Sequence, residues 1–253
     1  MKYFGMTDIG KQRKGNQDSF GIYEIAENAL LLAVCDGMGG AAGGAEASTT
    51  ALEAFSDEIK AITASRISDG RLDASGIDVK LMLENSAECA NKAVFRKAAA
   101  DPALQGMGTT LVALLIIDGA AYSINVGDSR MYRITGNGIT QLTRDHSYVQ
   151  YLVDMGKITP EEAKSNSKRN IITRAVGTDQ QLEVDVERVE TDESAEDTYL
   201  LLCSDGLTNM ISDENIAEIV IGEGDPEDKV ARLIAAANDN GGADNITAVL
   251  LKN

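Results

Sequence analysis

Four short stretches of this 253-residue chain set an aspartate beside a glycine or asparagine where an apolar run ends or begins. They are Val34-Cys35-Asp36-Gly37, Asn125-Val126-Gly127-Asp128-Ser129, Cys203-Ser204-Asp205-Gly206 and Gly242-Ala243-Asp244-Asn245. One such junction is an ordinary turn. Four on neighbouring strands could bring several carboxylates to one edge, and buried like charges persist only when protonated or bound to cations. An all-oxygen donor set suits Mg²⁺ or Mn²⁺ rather than zinc, since no cysteine or histidine cluster accompanies the acids and His146 is the only histidine. Two such ions about 4 Å apart can hold and activate a water for in-line displacement at phosphorus. Spacing alone leaves four unrelated turns as an open alternative. Arg13, shortly before Asp18 and the strand it opens, has a guanidinium able to grip two phosphate oxygens, although its setting between Lys11 and Lys14 first suggests a surface charge.

The glycines after Asp36 raise a competing possibility. Gly37-Met38-Gly39-Gly40-Ala41-Ala42 fits the dinucleotide fingerprint G-x-G-x-x-G/A, follows an apolar run, and is followed about 20 residues later by Asp57 and Glu58. Asp36 speaks against it, because it would oppose a pyrophosphate with like charge and no nearby lysine. In the metal reading the glycines let the chain turn sharply and bring backbone, such as the Gly37 carbonyl, close to an ion.

The elements that must position these residues are mostly short strands: 3–8, 19–25, 30–35, 109–117, 120–126, 129–134, 182–189, 198–203 and 245–251. Helical patterns cover 45–63, 79–100, 213–220 and 226–238, each preceded by turn or cap chemistry. Grouped rather than alternating elements predict an α+β fold, two antiparallel sheets with helices on their outer faces, against the repeated βαβ units of a dinucleotide-binding domain. Runs such as Leu30 to Cys35 and Tyr199 to Cys203 are continuously apolar, as strands covered on both faces should be. Residues 65–76 read as a mobile loop between helices. Residues 146–169, with a helical piece at 148–155 and a start signal at Thr159-Pro160-Glu161-Glu162, read as a small exposed insertion.

Length favours one domain over residues 1–253 with a sizeable core. Forty acids against 23 basic residues, a formal charge of -17, disfavour nucleic acid and anionic membranes as partners and favour a cation or a basic partner. No run reaches the roughly 18 apolar residues of a membrane span, and the start lacks an apolar signal core. Cys35, Cys89 and Cys203, odd in number and without CxxC spacing, read as free thiols. A cytoplasmic monomer is expected.

The ordered set Thr7-Asp8-Ile9-Gly10 with Arg13, Asn16 and Asp18, then Asp36-Gly37-Met38-Gly39-Gly40, Gly108-Thr109-Thr110, Gly127-Asp128-Ser129-Arg130, Ile172-Thr173-Arg174-Ala175, Ser204-Asp205-Gly206 and Asp244-Asn245-Ile246-Thr247 spans nearly the whole chain. It resembles the metal-dependent serine/threonine phosphatases of the protein phosphatase 2C type, bacterial members above all. The resemblance implies a central β-sandwich flanked by helices, with residues 146–169 as a flap beside the active site. It implies that Asp36 bridges two Mn²⁺ or Mg²⁺ ions with the Gly37 carbonyl on one and Asp205 and Asp244 on the other, and that Asp18 orients water. Asp128 would share a weaker third ion with Asp205, and Arg13 would hold the phosphate during direct attack by metal-activated water. Phosphorylated proteins, and a serine/threonine kinase whose work is reversed, are the implied partners; a non-enzymatic binding relative would be expected to have lost one of the metal aspartates. Met38 and Ala41 stand where relatives carry histidines, which leaves the general acid unassigned; His146 and Met107 are expected to be structural, and Arg174 either forms a salt bridge supporting the sandwich or contacts substrate. Asn166-Ser167 replaces the His-Pro of many relatives in the flap.

Overall fold

The computed structural model describes residues 1–190 and 198–252. Its strands are β1 (Lys2–Asp8), β2 (Asp18–Ala26), β3 (Ala29–Met38), the pair β4 (Ile67–Ser68) and β5 (Arg71–Leu72), β6 (Gly108–Thr109), β7 (Leu111–Ile117), β8 (Ala120–Val126), β9 (Arg130–Thr135), β10 (Gly138–Gln141), β11 (Asp185–Val189), β12 (Tyr199–Cys203) and β13 (Ile246–Lys252). The helices are α1 (Gly40–Ala64), α2 (Val79–Ala100), α3 (Tyr148–Asp154), α4 (Pro160–Lys164), α5 (Asp205–Thr208), α6 (Asp213–Ile221) and α7 (Pro226–Asp239).

Two antiparallel sheets face each other, one ordered β1-β13-β12-β9-β10 and the other β11-β8-β7-β3-β2, with β6 added to the end of β3. The continuous apolar runs have the cause expected of them. Along β3, Leu30, Leu32 and Val34 point into the space between the sheets, where they meet Met131, Leu202 and Val249. Leu31, Ala33 and Cys35 point the other way and are covered by Phe55 and Ile59 of α1 and Leu83 and Val94 of α2. The second sheet repeats the plan, with Leu201, Cys203 and Leu250 packed under Val230 and Leu233 of α7. Period-two alternation is invisible in such strands because both faces are dry. Every strand neighbour of β3 is antiparallel, so the glycines after Asp36 belong to no βαβ unit and the dinucleotide reading falls.

Two expectations are corrected. The first helix begins at Gly40 rather than Ala45, so its first turn, which includes Ala41, is built from the glycine run. Glycine is a poor helix former, but Gly44 is needed there: a Cβ on it would lie 2.7 Å from the Gln17 side chain and 2.8 Å from the Gly37 carbonyl oxygen. Residues 65–76 are not a free loop, because the β4–β5 pair crosses them and Asn28 pins Leu72 by accepting from its N–H at 2.8 Å and donating to its carbonyl at 2.9 Å. The insertion forms α3 and α4 as expected, with α4 started by a complete Thr159/Glu162 capping box.

Candidate active site

β2 and β3 pair so that Asp18 lies opposite Asp36. Thr110, between β6 and β7, donates its N–H to the Asp36 carbonyl and accepts from the Asp36 N–H through its hydroxyl, both at 2.9 Å. Thr109 adds its hydroxyl to the same carbonyl at 2.9 Å, and Thr110 continues through a 2.7 Å hydroxyl contact to Ser129. Asp36 thus stands on a backbone clamped from one side, next to Asp128 at the β8–β9 corner. On the facing sheet, Asp205 opens α5 directly after β12, and Asp244 precedes β13. All four aspartates line one cleft of about 660 Å³, together with Arg13, Gly37, Met38, Thr110 and, from the far end of the flap, Asn170 and Ile172.

Glycine beside the acids permits close crossing of chains. A Cβ on Gly37 would sit 2.0 Å from the Gly44 carbonyl oxygen, and one on Gly206 would sit 1.9 Å from that of Asn245. Any side chain at Gly37 would displace the start of α1, and any at Gly206 the segment that carries Asp244.

The electrostatics are those of crowded like charges. Burial raises the Asp36 carboxyl well above its ordinary range, reinforced by Asp18, Asp205, Asp128 and Asp244. Burial also lifts Asp128 to about 8, with Asp205 and Asp145 adding to it. Asp205 is raised by burial and by Asp244, against a hydrogen bond with Asp36 that stabilises its charged form. Asp18 lies one layer deeper, only 8% exposed, and burial takes it to about 6 although Ser204 and Thr247 both donate to its Oδ2, at 2.8 and 2.6 Å. Its other oxygen, Oδ1, is buried without a hydrogen-bond partner.

Such a donor set fits hard divalent cations, which would offset the repulsion that raises these carboxyls. Among the described residues no three acidic, histidine or cysteine side chains stand as a finished cage. The reason is visible in their present engagements: Asp244 Oδ2 takes a 2.6 Å ion pair from Arg13, and Asp205 Oδ2 accepts from Asn209 at 2.9 Å. The Arg13–Asp244 pair is solvent-accessible, and an exposed ion pair is worth about 0–1 kcal/mol, so it is easily exchanged.

Arg13 reaches the cleft on a loop that sequence reasoning left unexplained. The Asn245 amide donates to Ile9 and Gly15 carbonyls at 2.9 and 3.1 Å and accepts from the Gln17 N–H at 2.8 Å, tying both ends of the loop to the residue after Asp244. Asn245 and Thr110 are the supporting residues not singled out from the sequence; their signal was only their position beside an acid or within a Gly-Thr-Thr run.

The residues expected to be structural behave so. His146 is 7% exposed, with Nδ1 accepting from the Gly127 N–H at 3.1 Å and Nε2 lying 3.0 Å from Asp185. Those contacts assign the neutral tautomer with its proton on Nε2, and burial lowers the pKa of this ring. Arg174 makes the salt bridge, pairing with Asp185 at 3.0 Å and Glu183 at 3.2 Å, and Met107 is fully buried in the core beneath α1.

Residues 10–250 match the family model described as Protein phosphatase 2C. The chain is 37% identical over 246 residues to the Serine/threonine phosphatase stp of Listeria monocytogenes, an alignment covering 97% of this chain and 93% of that one. It is equally 37% identical over 246 residues to Protein phosphatase PhpP of Streptococcus pneumoniae, covering 97% and 95%. The crystal structure of serine/threonine phosphatase Stp1 from Staphylococcus aureus superposes with a TM-score of 0.84 at 37% identity, over 98% of this chain and 93% of that one.

Proposed function

Because the chain belongs to the protein phosphatase 2C family and is a serine/threonine protein phosphatase, we propose that its acid-lined cleft hydrolyses phosphoserine and phosphothreonine in proteins with two divalent ions, Mn²⁺ or Mg²⁺, and a weaker third. The observation that carries this reading is the meeting of Asp36, Asp128, Asp205, Asp244 and Arg13 in one cleft, with the Asp36, Asp128 and Asp205 carboxyls held above their ordinary range by burial and by neighbouring acids. Asp36 would bridge the two ions, with the Gly37 carbonyl on one, Asp205 and Asp244 on the other, and Asp128 joining Asp205 at the third. When bound, the ions supply a nucleophilic water at neutral pH and neutralise charge on the phosphoryl group.

The chain's own residues do the rest. Arg13 exchanges Asp244 for two phosphate oxygens and sets the phosphorus in line. Asp18, fixed by Ser204 and Thr247, orients water through the oxygen that no protein group uses. Water adds to phosphorus as the bond to the serine or threonine oxygen breaks, giving inorganic phosphate and a free hydroxyl without a phosphoenzyme. The single imidazole of the chain is buried and engaged at both nitrogens, so it is not the group that protonates the departing oxygen. The setting proposed for this reaction is the cytoplasm, where a monomer reverses a serine/threonine kinase. In keeping with this, no helix among the described residues is long and apolar enough to cross a membrane.

The test is hydrolysis of p-nitrophenyl phosphate and of a phosphoserine peptide across a Mn²⁺ titration after chelation, with Asp205→Asn alongside. Turnover that needs Mn²⁺ and disappears in Asp205→Asn is expected. Folded wild-type protein that turns over neither substrate at any Mn²⁺ or Mg²⁺ concentration would sink the proposal.

A further inference from the structure

The turn that carries Asp128 is tied down on both sides of that residue. Gly127 has a φ of +108°, and a Cβ there would lie 2.5 Å from Thr110 Cγ2, so glycine lets the turn press against the threonine that clamps Asp36. After Asp128, the Ser129 hydroxyl meets the Thr110 hydroxyl at 2.7 Å. Before it, His146 takes both polar groups of Gly127: its ring Nδ1 accepts from the Gly127 N–H at 3.1 Å, and its own N–H donates to the Gly127 carbonyl at 2.9 Å. The ring is held in turn by Asp185, 3.0 Å from Nε2, which leaves the Nδ1 lone pair for Gly127. The backbone bonds of His146, to the Gly127 carbonyl and from the Thr173 N–H at 2.7 Å, do not depend on its side chain. The ring bond is the one that a substitution removes selectively. Gly127 is buried, and a buried N–H that loses its acceptor is costly enough to move the backbone that carries it.

Resting on the catalytic reading above, in which Asp128 and Asp205 share the weaker third ion, we infer that His146 is a positioning residue for that ion: by accepting from the Gly127 N–H, its ring fixes where Asp128 presents its carboxylate. The imidazole acts through one turn of backbone, as the outer partners of metal ligands generally do. Its influence is local. Asp36 is clamped by Thr109 and Thr110, and Asp244 stands before β13 on the facing sheet, so the two tighter ions assigned to them rest on other elements.

The experiment follows Mn²⁺ binding to the chelator-treated protein, without substrate, by calorimetry and by the EPR signal of unbound Mn²⁺. Asp128→Asn identifies the weak class of ion by abolishing it. His146→Phe fills the place of the ring but offers no acceptor, and is expected to weaken that class about tenfold or more while the tighter ions stay within about threefold of wild type. His146→Asn, whose Oδ1 can stand where Nδ1 does, should bring the weak class back to within about threefold of wild type. Asp185→Asn controls for lost stability alone: it alters the ring's other partner, lowers the melting temperature, and should leave the weak class unchanged. If His146→Phe melts without cooperativity, His146→Gln, which keeps a donor toward Asp185 but moves its acceptor away from Gly127, carries the same test. A weak class that His146→Phe or His146→Gln leaves intact overturns the inference, as does an equal loss in His146→Asn or Asp185→Asn. A wild type with no class of Mn²⁺ sensitive to Asp128→Asn overturns the third-ion reading instead, and the role of His146 with it.

Discussion

Asp36 and Asp185 stand at the same edge of the same sheet, in a row that runs from Asp36 through Thr110 and Gly127 toward the Asn125–Asp185 pairing, and their surroundings are opposite. Burial pushes Asp185 up, but the hydrogen bond from His146 and the charge of Arg174 more than offset it, so its carboxyl ends below the ordinary range. Asp36 is raised by burial and then raised further by Asp18, Asp205, Asp128 and Asp244. A carboxylate given a full set of partners holds the flap's base to the sheet. One given only like charges is kept for something that arrives, and strongly perturbed groups in a cleft mark function for this reason.

Four measurements would break or sharpen this contrast. The largest difference is expected between Asp36→Asn and Asp185→Asn. The first should lower Mn²⁺-dependent turnover of p-nitrophenyl phosphate about a thousandfold or more without lowering the melting temperature of the metal-free protein, since a neutral amide replaces a carboxyl whose charged form burial and its neighbours oppose. The second should leave turnover within about tenfold and lower the melting temperature, because it leaves His146 and Arg174 without their shared acid. Equal loss of stability in both variants would erase the distinction.

Arg13→Ala should come next, reducing kcat/KM roughly 10- to 100-fold, chiefly as a rise in KM, as expected for loss of a charged hydrogen-bonding partner to phosphate. An unchanged KM for p-nitrophenyl phosphate would remove Arg13 from phosphate binding.

The two clusters also tilt stability against pH in opposite directions. Asp18 and Asp128, raised to about 6 and about 8, bind protons more tightly folded than unfolded. Their contribution is complete below the ordinary carboxylate pKa and is lost as pH rises through 6 and then 8. His146 and Asp185 are lowered, so theirs is present above their unfolded values and lost as pH falls. Melting curves of the metal-free protein should therefore decline on the alkaline side, and saturating Mn²⁺ should flatten that limb while leaving the acid limb in place. An alkaline limb that Mn²⁺ does not alter would separate the acids from the metal.

The smallest effect belongs to Arg174→Gln. Losing a partly exposed ion-pair arrangement should cost about 1 kcal/mol, or about 2–4 °C in a chain of this size, with kcat unchanged. A large fall in kcat would move Arg174 from the scaffold to the substrate.

Much of this architecture is legible from residue order because burial on both faces writes itself into β3 and β12 as unbroken apolar runs, and because an acid closing such a run is conspicuous. The resemblance to the phosphatase family added roles for Asp18 and Arg13 that spacing could not supply. What stayed hidden depends on chain segments distant in sequence. Asn245 meets Gln17 across 228 positions and Thr110 meets Asp36 across 74, and no local pattern announces either bond. The β10 strand and the β4–β5 pair, with four residues and two apiece, are too short to show a period. The glycine-built start of α1 runs against helix propensity and is set by the crossing at Gly37 and Gly44.

The bonding of Asn245 also bears on how such an enzyme can be re-engineered. Residues 9–17 form a graftable loop only in appearance, since three of their backbone groups end on one amide carried by the last strand. Exchanging this loop for a relative's would transplant the arginine but not its anchor. Loop and strand terminus must be moved as a matched pair, so directed evolution would be expected to change them by compensating double substitutions and seldom singly.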